Sequence, residues 1–270
     1  MMEPPVLAEV SDGVAILRLN KPQALNAICA AASAELLGLL ERCRDDGAVR
    51  AVLLTAGGRA FCAGSDLAAP LPVAMSSPGE RGEVLLSQYF NPLIRCMREM
   101  PKPTVVAVNG LAVGGGAGLA LSGDLVLMAQ AAELQLGFGP QLGLAPDMGC
   151  SWVIPRLAGR ARALGAFLTG APIGAAQARD WGLVWETVAD EALQQRAEDL
   201  ARQLAEGPVG AFAEIRRLVD AGLEGGLQQQ LELETQCQRR LMDGADFAEG
   251  LAAFKQKRAP KFNQSGAHQA

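Results

Sequence analysis

Ten residues, Asn109-Gly-Leu-Ala-Val-Gly-Gly-Gly-Ala-Gly118, constrain this chain more than any other stretch. They lie between an apolar run, Thr104–Val108, and a short Ala/Leu segment that ends at Asp124. Glycine in a helix interior costs about 1 kcal/mol relative to alanine, so the run belongs where the backbone itself must approach something closely. With no Cβ in the way, consecutive N–H groups leaving a strand and opening a helix can converge on one polarised oxygen, aided by the helix N-terminus. The run reads as an anion or oxyanion site, or equally as a strand-to-helix turn that permits close packing.

Common uses of such glycines fail on inspection. Gly114 and Gly116 are followed by Leu119 where a dinucleotide fingerprint needs a third glycine, and neither a phosphate-loop Gly-Lys-Ser/Thr nor a Gly-x-Ser-x-Gly elbow is present. The single histidine, His268, stands in the Gln/Ser/Gly/Ala tail, which disfavours any mechanism needing a histidine base. Six widely spaced cysteines with no Cys-x-x-Cys pair fit reduced core thiols better than zinc ligands or disulfides. A net charge of -5 without a basic cluster before the C-terminus argues against a nucleic-acid partner. The first residues, Met-Met-Glu-Pro-Pro-Val, have no positive n-region followed by an apolar stretch, and no later apolar run reaches the roughly 18 residues of a membrane span. The expectation is a cytoplasmic protein with no membrane partner.

Periodicity gives an α/β chain. Val14–Leu19 follows a turn and reads as a strand, and residues 20–26 lead into an Ala/Leu-rich helix to about Cys43. Residues 50–55 form a continuous apolar run, the pattern of a strand buried on both faces. A Gly-containing loop follows over 56–67, then a Pro- and Ser-bearing insertion over 68–82 and a helix over about 83–100. Thr104–Val108, 125–128 and 134–136 are further strands, and alternation with helices indicates a parallel-type architecture. From Arg156 onward the strand signal fades, and helices are expected over 160–168, 174–181, 191–206, 210–221, Leu227–Met242 and 246–258. The last three are amphipathic and suited to bury a face against another subunit. With hydrophobic content of 50% in 270 residues, a substantial core is available.

Two separated pieces combine into a recognisable pattern. Ala60-Phe-Cys-Ala-Gly-Ser-Asp-Leu67 and Asn109-Gly-Leu-Ala-Val-Gly-Gly-Gly116, each leaving a buried strand, resemble the two signature segments of the crotonase (enoyl-CoA hydratase/isomerase) superfamily. Ala24-Leu-Asn26 and the closing Glu249-Gly-Leu-Ala-Ala-Phe-Lys-Gln-Lys-Arg258 resemble the family's ends, so the likeness spans about residues 6–262. It implies an α/β spiral of ββα repeats over 1–200, a helical trimerisation region over 201–262 and a flexible tail over 263–270. It also implies trimers or pairs of trimers, acyl-CoA thioester substrates, and no cofactor apart from the coenzyme A of the substrate. Carried onto this chain, the oxyanion hole is the backbone N–H groups of Ser65 and Gly115, with Gly114 beside them. The coenzyme A pocket maps to Ala24, Leu25 and the loop of Ala63, Gly64, Ser65, Asp66 and Leu67. Lys257 and Lys261 are candidate phosphate partners, for which solvated surface charge is an equal reading.

Hydratases of the family hold water between two glutamates, and the corresponding positions here are Gly118 and Gly139. With no carboxylate at either, simple hydration of a 2-enoyl-CoA is disfavoured. One acidic residue stands in a suggestive place, Asp147 in Gly143-Leu-Ala-Pro-Asp-Met-Gly-Cys-Ser-Trp152. This segment resembles the phenylacetate-pathway epoxide isomerases of the superfamily, whose general base aligns with Asp147. Asp147 also fits a helix N-cap. Catalysis is favoured because a carboxylate beside Leu144, Met148 and Trp152 is desolvated and becomes a usable base. The three tryptophans, Trp152, Trp181 and Trp185, read as core residues before acyl-pocket walls. The preferred function is an acyl-CoA isomerase using Asp147. The alternatives are a hydratase or other water-using member of the family, and a non-catalytic acyl-CoA-binding protein.

Overall fold

The structure, a computed structural model, describes residues 3–66, 69 and 76–262. Strands β1 (Val6–Ser11) and β2 (Val14–Leu19) form an antiparallel hairpin whose turn residues, Asp12 and Gly13, both take positive φ. Helix α1 (Ala30–Asp45) follows and buries Leu36, Leu40 and Cys43 along one face. Then come β3 (Ala51–Ala56) and β4 (Ala60–Cys62), the second lying inside the stretch expected as a loop. Three residues are too few to show an alternation, yet all three are buried. Helix α2 (Pro78–Val84) begins before residue 83 because Ser77 caps it, accepting from the Glu80 amide at 3.1 Å. Glu80 returns the contact to the Ser76 amide, and Pro78 occupies the first turn, where its missing N–H costs nothing. The helix passes through a wider π turn over Leu85–Phe90 into α3 (Asn91–Glu99).

The Gly-rich region contains β5 (Thr104–Val108), β6 (Leu111–Val113) and α4 (Gly115–Ala120). Next are β7 (Leu125–Ala129), β8 (Glu133–Gln135), α5 (Phe138–Leu142), α6 (Cys150–Ala158) and α7 (Arg160–Thr169). The chain continues with β9 (Ile173–Gly174), α8 (Ala175–Asp180), β10 (Glu186–Val188) and α9 (Leu193–Ala205). It closes with α10 (Val209–Gly222), α11 (Leu227–Met242) and α12 (Ala245–Gln256). Strands β9 and β10 fall in the region expected to be helical; with two and three residues they carry no periodic signal.

Among the described residues, the larger sheet has the order β1-β2-β3-β5-β7-β10, parallel except for the opening hairpin. The smaller has the order β4-β6-β8-β9, parallel except at β9. Each of β3, β5 and β7 in the larger sheet is followed directly by β4, β6 or β8 in the smaller one. The chain thus winds as a spiral of ββα turns, as the family likeness implied. Strands β3 and β5 are buried along their full length, which explains their continuous apolar sequence. Helix α9 covers β3, β5 and β7 with Leu193, Ala197, Leu200, Ala201 and Ala205, a spacing of one helical face.

Helix α10 is tied to the body by charge. The Arg216 guanidinium pairs with the Asp124 carboxylate and also donates to the main-chain carbonyls of Met100 and Lys102. Arg98 pairs with Asp220 at 2.8 Å, and Arg156 with Glu224 at 3.2 Å. Ile215, Val219, Leu223, Leu227 and Phe254 leave apolar surface exposed on the C-terminal helices. No helix among the described residues is long and apolar enough to cross a membrane.

Candidate active site

Parallel pairing of β4 with β6 sets Cys62 opposite Ala112. Three residues beyond each stand Ser65 and Gly115, so strand register delivers both expected oxyanion residues to one end of the smaller sheet. Ser65 bridges Ile28 in a parallel manner: Ile28 donates to the Gly64 carbonyl and Asp66 donates to the Ile28 carbonyl, each at 2.8 Å. A bridge of this kind passes over the amide of its own central residue. Gly115 opens α4, where first-turn amides have no intrahelical acceptor. Among the described residues, neither the Ser65 nor the Gly115 amide has a hydrogen-bond acceptor.

Close packing also demands these glycines. A side chain at Gly116 would overlap the Cys62 carbonyl oxygen, and Gly114 turns the chain with φ +54 against the Phe138 ring. A Cβ on Gly115 would collide with the Met148 sulfur and stand 3.4 Å from Asp147 Oδ1. Both readings of the Gly-rich run, open amides and close packing, therefore hold in the same turn.

Asp147 lies close to this turn. Met148 and Gly149 both take left-handed φ, +46 and +79, and fold the chain sharply before α6. For a residue such as Met148 that conformation carries strain of about 1–3 kcal/mol. The helix cap is Gly149, not Asp147, and no side chain caps α6. Asp147 contributes only its main-chain carbonyl, which accepts from the Cys150 amide at 2.9 Å. Its Oδ1 is buried and has no hydrogen-bond partner among the described residues. Burial pushes the carboxyl above the ordinary value of 3.8, because the charged form loses hydration.

The source of that burial differs from expectation. Met148 is 2% exposed, but Leu144 is 52% exposed and Trp152 is 37% exposed. Trp152 lies between the guanidinium groups of Arg98 and Arg156, 5.2 and 4.0 Å from its ring centre. It lines a groove of about 610 Å³ with α10 residues and Trp185. Trp152 and Trp185 are thus groove residues and not core; Trp181 alone packs against the core, half-buried. Tryptophan's polar edge and size make partial exposure common, which the sequence alone does not reveal.

The two glycines at the hydratase glutamate positions differ. Gly118 is buried, and a Cβ there would overlap the Met148 carbonyl oxygen. Gly139 is exposed, its nearest neighbour being the Phe167 carbonyl oxygen at 3.5 Å. Glu133 opens β8 and is exposed.

The remaining expected residues divide into two groups. Ala24 ends a short 3-10 turn, Leu25 follows with φ +50, and the Leu25 carbonyl accepts from the Ala63 amide at 2.9 Å. Ala24, Leu25, Ala63, Gly64 and Asp66 are therefore one backbone assembly. Leu67 lies outside the described residues, as do residues 68 and 70–75 of the 68–82 insertion, the 263–270 tail and His268. Lys257 and Lys261 are exposed at and beyond the end of α12. Among the described residues no hydrogen bond or ion pair joins either to the assembly; the Lys261 amide instead donates to Glu249 at 2.7 Å.

Asn26 organises that assembly and was not singled out by the sequence. It is 4% exposed, takes φ +54, and accepts from the Lys21 amide while donating to the Gly57 and Ala60 carbonyls, all at 2.8 Å. The available signal is that Asn tolerates the left-handed region and can satisfy backbone groups locally. All six cysteines are free. Burial raises the Cys62 thiol to about 11 and the Cys150 thiol further, so both flank the glycine turn as neutral thiols, not nucleophiles.

A family model described as enoyl-CoA hydratase/isomerase matches residues 9–265. The chain belongs to the enoyl-CoA hydratase/isomerase family. It is 41% identical over 257 residues to the 1,2-epoxyphenylacetyl-CoA isomerase of Escherichia coli K12, covering 95% of this chain and 97% of that one. It is also 41% identical over 254 residues to a Rhodobacter capsulatus protein named as a probable enoyl-CoA hydratase, covering 94% and 96%. The crystal structure of an enoyl-CoA hydratase of Mycobacterium smegmatis superposes with a TM-score of 0.88 at 29% identity, covering 97% of this chain and all of that one. As an enzyme of this hydratase/isomerase family, the chain presents two unengaged amides and, close to Gly115, a desolvated carboxylate. Such an arrangement can hold a developing negative charge on oxygen while a proton leaves a neighbouring carbon.

Proposed function

We propose that this family member is an acyl-CoA isomerase in which Asp147 is the general acid/base and the Ser65 and Gly115 amides hold the enolate oxygen. The observation that carries this is the buried, unpartnered Asp147 oxygen beside Gly115, with no carboxylate at either position of the water-holding pair. Asp147 takes a proton from the carbon α or γ to the thioester, and the electron pair moves onto the thioester oxygen. Asp147, now protonated, returns the proton to another carbon, and the double bond shifts. A carboxyl raised above its ordinary value serves both transfers better than a fully hydrated one.

Acyl groups suited to this chemistry are 3-alkenoyl chains and ring epoxides of the kind named in the Escherichia coli relative. Ala24, Leu25, Ala63, Gly64, Asp66 and Leu67 grip the coenzyme A part of the thioester, and no other cofactor takes part. Lys257 and Lys261 reach its phosphates across a subunit boundary, which is consistent with the absence, among the described residues, of any bond from either to the assembly within one chain. The apolar faces of the C-terminal helices close a cytoplasmic trimer or a dimer of trimers.

Mass spectrometry of 3-hexenoyl-CoA and phenylacetyl-CoA incubated in heavy water tests the reading. Deuterium uptake or bond migration by the wild type should fall about 100- to 10,000-fold in Asp147→Asn. Exchange at the wild-type rate in that variant would sink the role of Asp147. Water addition to a 2-enoyl-CoA would instead indicate a hydratase, and tight thioester binding without any chemistry a binding protein.

A further inference from the structure

The oxyanion amides are backbone groups and say nothing about the Ser65 side chain. Yet Ser65 Oγ is buried and has no hydrogen-bond partner among the described residues. An unpaired buried hydroxyl is destabilising, and alanine at this position would avoid that cost. Cβ and Cα join it to the amide of its own residue, which like the Gly115 amide is an unengaged donor among the described residues. A hydroxyl can give one hydrogen bond and accept others. To the two amides of the proposed oxyanion site, what it adds is a third donor.

We propose that the Ser65 hydroxyl is a catalytic donor to the thioester oxygen, completing a three-donor oxyanion site with the Ser65 and Gly115 amides. The inference rests on the enolate chemistry of the isomerase reading but not on which residue removes the proton. The hydroxyl keeps its own hydrogen throughout. The electron pair released from the C–H bond comes to rest on the thioester oxygen, and the proton goes to the base. An enolate oxygen carrying this charge accommodates a third donor more favourably than a neutral carbonyl does, so the contact strengthens as charge develops.

The probe is acetoacetyl-CoA, a β-keto thioester whose bound enolate is distinguished from its keto form by ultraviolet absorbance. This is an equilibrium readout and needs no enzymatic base. A failure of the Asp147 reading, seen as persistent deuterium exchange in Asp147→Asn, is therefore separate from a failure here. Ser65→Ala keeps the backbone amide and should lower the bound enolate-to-keto ratio about tenfold, less than the hundredfold or more typical when a principal oxyanion donor is removed. It should also melt no lower than the wild type, because the hydroxyl it removes is unpaired in the free protein. A purely structural serine predicts the reverse, a lower melting temperature. An unchanged ratio in Ser65→Ala, or a lowered ratio accompanied by a lower melting temperature, overturns the proposal.

Discussion

Gly118 packs so tightly on Met148 that a Cβ added to it would overlap the Met148 carbonyl oxygen and stand 3.0 Å from the Met148 Cβ. The glycine at this family position is thus required by the backbone that aims Asp147. Placing a carboxylate at residue 118 demands a different path for residues 147–149.

A direct consequence concerns attempts to install the missing water-holding pair. Gly118→Glu should destabilise the protein by about 3 kcal/mol or more through overpacking, read as a large drop in melting temperature. Gly139→Glu, at an exposed position where a Cβ makes only ordinary contacts, should change stability by less than about 1 kcal/mol. The double variant should fail to gain hydration of 2-enoyl-CoA because the fold is lost first. A stable Gly118→Glu protein would show that the Met148 turn can move.

Asp147 links activity and stability with opposite signs. Its carboxyl is raised in the folded state by burial, so folding favours the protonated form. The stability tied to it is present below the unfolded value near 3.8 and is lost as pH rises through the folded one. Asp147→Asn should therefore melt a few degrees higher than the wild type at pH 7, with the difference shrinking toward pH 4. Proton exchange should rise with pH through an inflection above 3.8, since the base works only when ionised. Thermal melts across this pH range, with exchange rates on the wild type, check both.

Asn26 is exchangeable for neither a smaller nor a charged residue. In Asn26→Asp the two bonds donated to the Gly57 and Ala60 carbonyls become repulsive contacts between oxygens. A loss of about 3 kcal/mol or more is expected, with weakened acyl-CoA binding because the same loop positions Ala63–Asp66. Denaturant unfolding and coenzyme A binding by calorimetry would show whether the two effects appear together.

Arg216 anchors α10 to the body, with side-chain exposures of 13% for Arg216 and 22% for Asp124. Arg216→Leu leaves the Asp124 carboxylate partly buried without its cation. The expected cost is about 3 kcal/mol, at the low end for breaking a buried pair because some solvent reaches the carboxylate. Asp124→Asn together with Arg216→Leu should recover part of that loss. A double variant as unstable as the sum of the singles would mean the two side chains are not coupled.

The sequence by itself determined the architecture and the position of the turn. Long apolar runs such as Thr104–Val108 specify strands buried on both faces, and the amphipathic spacing of Leu193, Leu200 and Ala201 specifies a covering helix. The Gly-rich run and the glycines at 118 and 139 were equally legible, because absent side chains leave few alternatives. Strands β4, β6, β9 and β10 were not, since two or three residues carry no period and form only when a neighbouring edge supplies their hydrogen bonds. The same limit applied to side chains. Whether Asp147 capped a helix or stood unpaired, and whether Trp152 lay in the core or in a groove, depended on partners distant along the chain, such as Gly115 for one and Arg98 for the other. Local sequence sets backbone preference, but burial and unmet hydrogen bonds are properties of what the fold brings alongside, and only the tertiary structure decided those.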